Sequence, residues 1–229
     1  MLYDERAVKA NIRNREGKRV FFLGEKDRLT PSAKDWLSRE RIAILPGEEA
    51  KITRYRLSGG GYCEEKPEHM THLHGDVLVA KTHPRIAFRG SIDLLEAELI
   101  LCKLKTGIAP LQEVLELARR LIRCDVLDEP VGEVTLGGLT AAEQRKRSHF
   151  PQEVYGIAHF MPEAADGERI ALLNRCRALC RKAELAACHA FTDRDGNPLR
   201  LDILQALNRM SSYLYILMLE EKSKSEKRG

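Results

Sequence analysis

Long hydrophobic runs are missing from this chain of 229 residues: none approaches the ~20 consecutive apolar positions that span a bilayer, so no membrane helix is expected. A secretory signal is missing as well. The amino terminus, MLYDERAVKANIRNREGK, carries acids early and has no contiguous apolar segment followed by small residues, so the protein is expected in the cytoplasm. Neither sign of charge dominates, since 38 basic side chains face 34 acidic ones for a net charge of +4, and nucleic acid is not indicated as a partner. The six cysteines, at 63, 102, 124, 176, 180 and 188, lack the spacing of a secreted disulfide framework and read as free thiols in a reducing compartment. No P-loop is present, because no lysine followed by Ser or Thr comes after suitably spaced glycines.

What is present is a chain long enough for one main core plus a smaller appendage. Up to Pro67 the pattern is mixed. A short helix is expected near Glu5 to Ile12, with strands at Arg19 to Leu23, Ile42 to Leu45 and Ile52 to Tyr55. Thr30 followed by Pro31 marks a helix start: the hydroxyl caps free amides and proline fits the first turn. Ser58 to Gly61 reads as a linker. After Pro84, Gly and Pro signals separate long helical patterns, which predict helices near 84–105, 109–126, 139–149, 166–191 and 199–220. The fold class is therefore mainly α, a five-helix bundle with a small mixed α/β amino-terminal region. The expected divisions are 1–67, 68–220 and a charged flexible tail at 221–229.

On the fourth of these helices Arg177, Arg181 and Glu184 recur at four and three residues and share a face, opposite an apolar stripe of Leu172, Cys176, Leu179, Ala183, Ala186 and Ala187. Periodicity alone makes that face a solvated one with an Arg181–Glu184 pair. On the fifth, Ile203, Leu207, Met210, Leu214 and Leu217 form the core stripe, and Asn208, Ser212 and Tyr215 lie on its flank. Asn208 is a poor helix-interior residue whose amide both donates and accepts. On the first helix Asp93 lines up with Ile86, Ala97 and Ile100; if that row is buried the carboxylate needs a counter-ion, for which Arg177 is the candidate, and if it is exposed Asp93 carries no message. Lys81, Arg85 and Arg89 concentrate behind the Gly75 turn, a charge density that suits a phosphate-rich ligand or a solvated turn equally. Cys63, His69, His72 and His74 are of metal-binding type, yet no paired cysteine closes a four-ligand pattern, and no metal site is assigned.

In order along the chain these pieces resemble the cobalamin adenosyltransferases of propanediol and ethanolamine utilisation. KTHPRIAFRGSIDLL from Lys81 matches the lysine, proline, arginine, glycine, aspartate and leucine that open the family's first bundle helix. HFMP at His159 to Pro162 stands for its Phe-Ile-Leu-Pro turn, RALCRKAEL from Arg177 for its Arg-Ala-Val-Cys-Arg-Arg-Ala-Glu-Arg pattern, and NRMSS from Asn208 for its Asn-Arg-Leu-Ser-Asp. RLTPSAKDWL, THL at Thr71 and LDILQALNRMSS look like the ethanolamine branch. Departures are His159 in place of phenylalanine, Ser212 in place of aspartate, and Lys182 and Leu185 in place of arginines.

The resemblance implies a bundle that binds ATP with Mg2+ and a reduced cobalamin and transfers the 5′-deoxyadenosyl group to cobalt. It implies Arg181 and Lys81 on phosphate oxygens, with Thr71 and Arg85 beside the cofactors. It places Arg177 on Asp93 across a subunit interface, Glu184 on the arginines or ribose, and Asn208 on the nucleotide. The His159–Phe160 turn would lie under the corrin, displacing the lower axial ligand of cobalt. A homo-oligomer is implied, a trimer with ATP between subunits or else a dimer, with service to ethanolamine catabolism and association with a bacterial microcompartment. The competing reading is a non-catalytic protein that binds or delivers a corrinoid in such a compartment.

Overall fold

The structure, a computed structural model, describes residues 1–15, 18–47 and 55–227. The chain divides into two compact units, Met1–Arg54 and Tyr55–Gly229, ahead of the boundary at 67 expected from the linker reading.

In the first unit β1 (Leu2–Tyr3) pairs in parallel with β4 (Arg28–Leu29), and β3 (Lys18–Gly24) lies between β2 (Arg13–Arg15), antiparallel, and β5 (Ala43–Gly47), parallel. Parallel pairing of β3 with β5 requires a crossover, which α2 (Pro31–Arg39) supplies. Its start is the one the sequence announces: the Thr30 hydroxyl accepts from the Ala33 amide at 3.3 Å, with Pro31 in the first turn. The helix α1 (Glu5–Ala10) is capped in the same way by the Asp4 carboxylate, which accepts from the Ala7 amide at 2.7 Å. Val8, Phe21, Leu29, Ala33, Leu37 and Ile42 form the core of this unit. Of the strand expected at Ile52 to Tyr55, residues 52–54 lie outside the described residues.

The second unit opens with a four-stranded sheet in the order β7-β6-β9-β8, built from β6 (Tyr55–Leu57), β7 (Tyr62–Cys63), β8 (Met70–His74) and β9 (Val77–Ala80). The Ser58–Gly61 stretch is not a linker but the tight turn between β6 and β7. The Leu57 amide donates to the Gly61 carbonyl at 3.0 Å, and Gly60 and Gly61 take the positive φ values of 99° and 87° that such a closure needs. Composition alone does not separate the two readings, because glycine serves a flexible joint and a left-handed turn equally well.

The helices that follow are α3 (Pro84–Thr106), α4 (Leu111–Leu127), α5 (Ala141–His149), α6 (Pro151–Tyr155), α7 (Gly167–Ala190) and α8 (Leu201–Glu226). Five match the expected positions, and the short α6 is added. Pro151 starts it, and Gly156 at φ 73° ends it one turn later. The α8 helix runs to Glu226, into the segment expected to be a flexible tail. Ion pairs of 2.6 Å, Lys222 with Asp166 and Glu221 with Arg169, hold that last stretch.

α7 packs between α3 and α8, with α4 against α3 and α5 against α8. Phe88, Ile92, Leu95 and Leu99 of α3, Leu173, Cys176 and Cys180 of α7, and Ile203, Leu207, Met210 and Leu214 of α8 belong to one contiguous core. Each such large side chain contributes about 1.5–3 kcal/mol on burial. The α8 stripe is as expected. On α7 the buried arc is broader, since Leu173 and Cys180 are fully buried while Leu172, Leu179 and Ala186 are only partly so, because neighbours flank this helix on two sides. No described helix is long and apolar enough to cross a membrane.

Candidate active site

α7 and α8 run side by side with their polar flanks adjoining. Arg177 and Arg181 of α7, Ser211, Ser212 and Tyr215 of α8, Ser148 and His149 at the end of α5, and the His159–Phe160–Met161 loop line a cavity of about 360 Å3. The Asn208 amide donates to Glu184 Oε1 at 3.4 Å, so the expected side chains of the two helices do meet. The Arg181–Glu184 pair suggested by their spacing is not among the ion pairs of the described residues; Glu184 turns to Asn208 instead. Arg209 donates to Asn208 Oδ1 at 2.5 Å, which orients the amide. Asn208 and Arg209 also edge a larger groove of about 790 Å3, walled by Leu201, Leu204, Val134 and the start of α5.

Among the described residues the two arginines of the cavity find no acceptor. Arg177 lies with its guanidinium carbon 5.7 Å from the centre of the Tyr215 ring, and its Nε is buried with no hydrogen-bond partner among the described residues. Arg181 is exposed and has no hydrogen bond or ion pair among the described residues. A buried unsatisfied N–H costs about 1–3 kcal/mol. Such a group beside a cavity fits an oxyanion that would accept from it, and guanidinium geometry suits phosphate.

Opposite the arginines the loop is held by an aromatic set. His159 Nδ1 is 3.1 Å from the Tyr215 hydroxyl and Nε2 is 3.1 Å from the His149 carbonyl. Phe160 is partly buried, with Lys222 Nζ 4.6 Å from its ring centre and its own amide donating to the Tyr215 oxygen at 3.4 Å. Met161 projects almost fully exposed at the cavity edge. Tyr215 had only a flank position in the sequence pattern, and the His149 carbonyl leaves no sequence signal at all.

The second basic cluster is arranged differently. Arg85 Nε donates to Asp125 Oδ1 at 2.8 Å and Arg89 Nε to Oδ2 at 2.6 Å, on a carboxylate that is fully buried. Arg85 also donates to the Asp125 carbonyl, and Arg89 to the carbonyls of Leu73 and His72. These bonds tie α3 to the end of α4 and to β8. Arg85 is therefore held within this chain as a clamp of the fold, and the carboxylate that holds it, Asp125, was not singled out by spacing. Lys81 pairs at 3.1 Å with the exposed Glu68, and Thr71 sits in β8 opposite Val79. Among the described residues no bond joins Thr71, Lys81 or Arg85 to Arg177 or Arg181.

Of the two alternatives left open for Asp93, the structure gives the exposed one. Ala97, Ile100 and Leu104 along the same side of α3 are exposed as well, with Leu104 at 81%. Asp93 makes no ion pair among the described residues, and Arg177 of the same chain is not its partner. All six cysteines are free, and burial together with the Glu184 charge pushes the Cys180 thiol up, which keeps it a core residue and not a nucleophile. Among the described residues no three His, Cys, Asp or Glu side chains converge as metal ligands, and His72 of the Cys63–His74 segment lies edge-on to Tyr55 at 5.4 Å.

The motifs of the 159–162 turn, α7 and α8 thus meet at one cavity, into which the motif on α3 sends no side chain. A family described as cobalamin adenosyltransferase matches residues 61–221, most of the second unit. The chain belongs to the cobalamin adenosyltransferase family. It is similar to the corrinoid adenosyltransferase EutT of Salmonella typhimurium strain LT2, 31% identical over 238 aligned positions that cover 93% of this chain and 89% of that protein. Its similarity to the protein of the same description in Escherichia coli strain K12 is 30% over the same extent. This adenosyltransferase is an enzyme of the EutT type, in keeping with the motif order in its sequence. All ten residues singled out for its site, from Thr71 to Asn208, lie inside the matched stretch.

Proposed function

We propose that the enzyme transfers the 5′-deoxyadenosyl group of ATP to the cobalt of cob(I)alamin in the service of ethanolamine catabolism. Cobalt(I) supplies the electron pair of the new cobalt–carbon bond, the bond from the 5′ carbon to oxygen breaks, and the polyphosphate leaves with that oxygen. The observation that carries the reading is the pair Arg177 and Arg181, one with a buried N–H and the other exposed, neither with an acceptor among the described residues, facing the aromatic loop across a single cavity. They would neutralise the negative charge that develops on the leaving oxygens, while the rest of the cavity aligns the 5′ carbon over cobalt. Glu184 and Asn208, already bonded to each other, are placed to hold the ribose or base. The His159–Phe160 turn presents rings to the lower corrin face.

Magnesium enters, on this reading, with the triphosphate, since no three protein ligands converge among the described residues. Thr71 and Lys81 would complete the nucleotide site from a second copy of the chain. The exposed row of Asp93, Ala97, Ile100 and Leu104 on α3 supports such a copy, as its apolar members need cover and Asp93 would then meet Arg177 of the neighbour. Enclosure in a bacterial microcompartment belongs to the same proposal. The test is anaerobic incubation of the protein with ATP and chemically reduced cobalamin. A light-sensitive cobalt–carbon product is expected, and failure to form it would overturn the function.

A further inference from the structure

His159 stands where the family's turn carries phenylalanine, and an imidazole there raises a chemical problem. Imidazole nitrogen is a good donor toward transition metals. A donor beneath cobalt favours the five-coordinate +2 state and works against reduction to +1. The surroundings of the ring bear directly on this. Nε2 faces the His149 carbonyl oxygen at 3.1 Å, and a carbonyl only accepts, so the hydrogen of the neutral ring sits on Nε2. Nδ1 is then bare, and the Tyr215 hydroxyl, 3.1 Å away, donates to it. The Tyr215 oxygen in turn accepts from the Phe160 amide at 3.4 Å. Donors and acceptors match throughout the chain of bonds. The His159 and Tyr215 rings are within 9° of parallel, and the Arg177 guanidinium lies over the Tyr215 ring, so one residue links the arginine side of the cavity to the loop side.

We infer that Tyr215 is a positioning residue that locks His159 as the Nε2–H tautomer with both ring nitrogens occupied, so that His159 meets a corrinoid as a flat ring and not as a cobalt ligand. The inference rests on the corrinoid function proposed above, but the lock itself is a property of the protein alone. Two measurements test it, using Tyr215→Phe, which keeps the ring and removes only the hydroxyl.

In the free, 15N-labelled protein, long-range nitrogen–proton spectra should show His159 with a protonated Nε2 and a bare Nδ1. Tyr215→Phe should move it toward the averaged tautomers of a free histidine, with His159→Gln providing the assignment. With cob(II)inamide, a corrinoid without its own lower base, and ATP, the wild-type electron paramagnetic resonance spectrum should lack nitrogen splitting from the protein. Tyr215→Phe should gain that splitting, and Tyr215→Phe combined with His159→Gln should lose it again. Turnover of Tyr215→Phe should fall roughly 10-fold, within the ~100-fold that misplacing a positioned group costs, with the KM for ATP unchanged.

Nitrogen splitting in the wild type, an Nδ1–H tautomer, or a Tyr215→Phe protein identical to wild type in both spectra would overturn the inference. A protein that keeps the Nε2–H lock but forms no adenosylcobalamin would sink the proposed function and leave the lock standing.

Discussion

Two basic clusters in this enzyme look alike in sequence and are opposite in structure. At the start of α3, Arg85 and Arg89 are one helical turn apart and both close on Asp125, with backbone carbonyls accepting the remaining bonds. On α7, Arg177 and Arg181 are also one turn apart, yet neither finds an acceptor among the described residues, and one has a buried N–H left over. Buried polar groups in a folded chain are normally satisfied, so the first pair is explained by the fold and the second is not. Arg177, with its buried unpaired Nε, and the exposed Arg181 are the pair left open to a ligand.

The sharpest way to break the comparison is Asp125→Ala. It would leave two partly buried guanidinium groups without their counter-ion, and a loss of about 3–5 kcal/mol is expected in denaturant unfolding. A change under ~1 kcal/mol would show that the α3 cluster is not structural. Arg181→Ala should do the reverse: unfolding should move by no more than ~0.5 kcal/mol, while adenosylation falls by about 10²–10³-fold, the range for removing one donor from a developing anion. Wild-type turnover in that variant would remove Arg181 from the site.

A smaller effect concerns acid stability beside the structural cluster. Arg200 holds the Asp202 carboxyl down to about 2 from 3.8, chiefly through their direct hydrogen bonds, with the Val131 amide helping. A carboxylate lowered in the folded state adds stability above its unfolded value and loses it as pH falls through the folded one. Asp202→Asn should therefore flatten the fall in stability between pH 3.8 and about 2, by on the order of 1 kcal/mol after allowance for partial exposure. An unchanged acid limb in the variant would assign that fall to other groups.

Lys81→Ala should leave folding essentially unchanged, because its partner Glu68 is fully exposed and water screens such a pair. If Lys81 reaches the nucleotide of a second copy, the KM for ATP should nevertheless rise several-fold. An unaltered KM would confine the anion site to the α7 arginines.

Much of the framework was legible because it rests on local chemistry. Thr30–Pro31 is a cap whose hydroxyl reaches the amide three residues ahead, and the α8 stripe repeats with the helix, so spacing alone located them. The Ser58–Gly61 turn and the strands from Met70 to Ala80 were not legible, since their meaning depends on which distant segment pairs with them. Arg177, Arg181, Glu184 and Asn208 were found by motif order, and spacing by itself made them a solvated face. His159 was visible only as a substitution within a motif, while the Tyr215 hydroxyl and the His149 carbonyl that occupy its nitrogens come from positions 56 and 10 residues away.

By itself, then, the order of residues determined the helices, their caps, their core faces and the family. Those properties depend on neighbours within about four positions or on motifs read in sequence. Only the tertiary structure decided which arginines are satisfied, that the Asp93 row faces outward, and that both nitrogens of His159 are occupied. Each of those outcomes depends on an acceptor, a donor or a covering surface brought from far along the chain, and local periodicity carries no record of it.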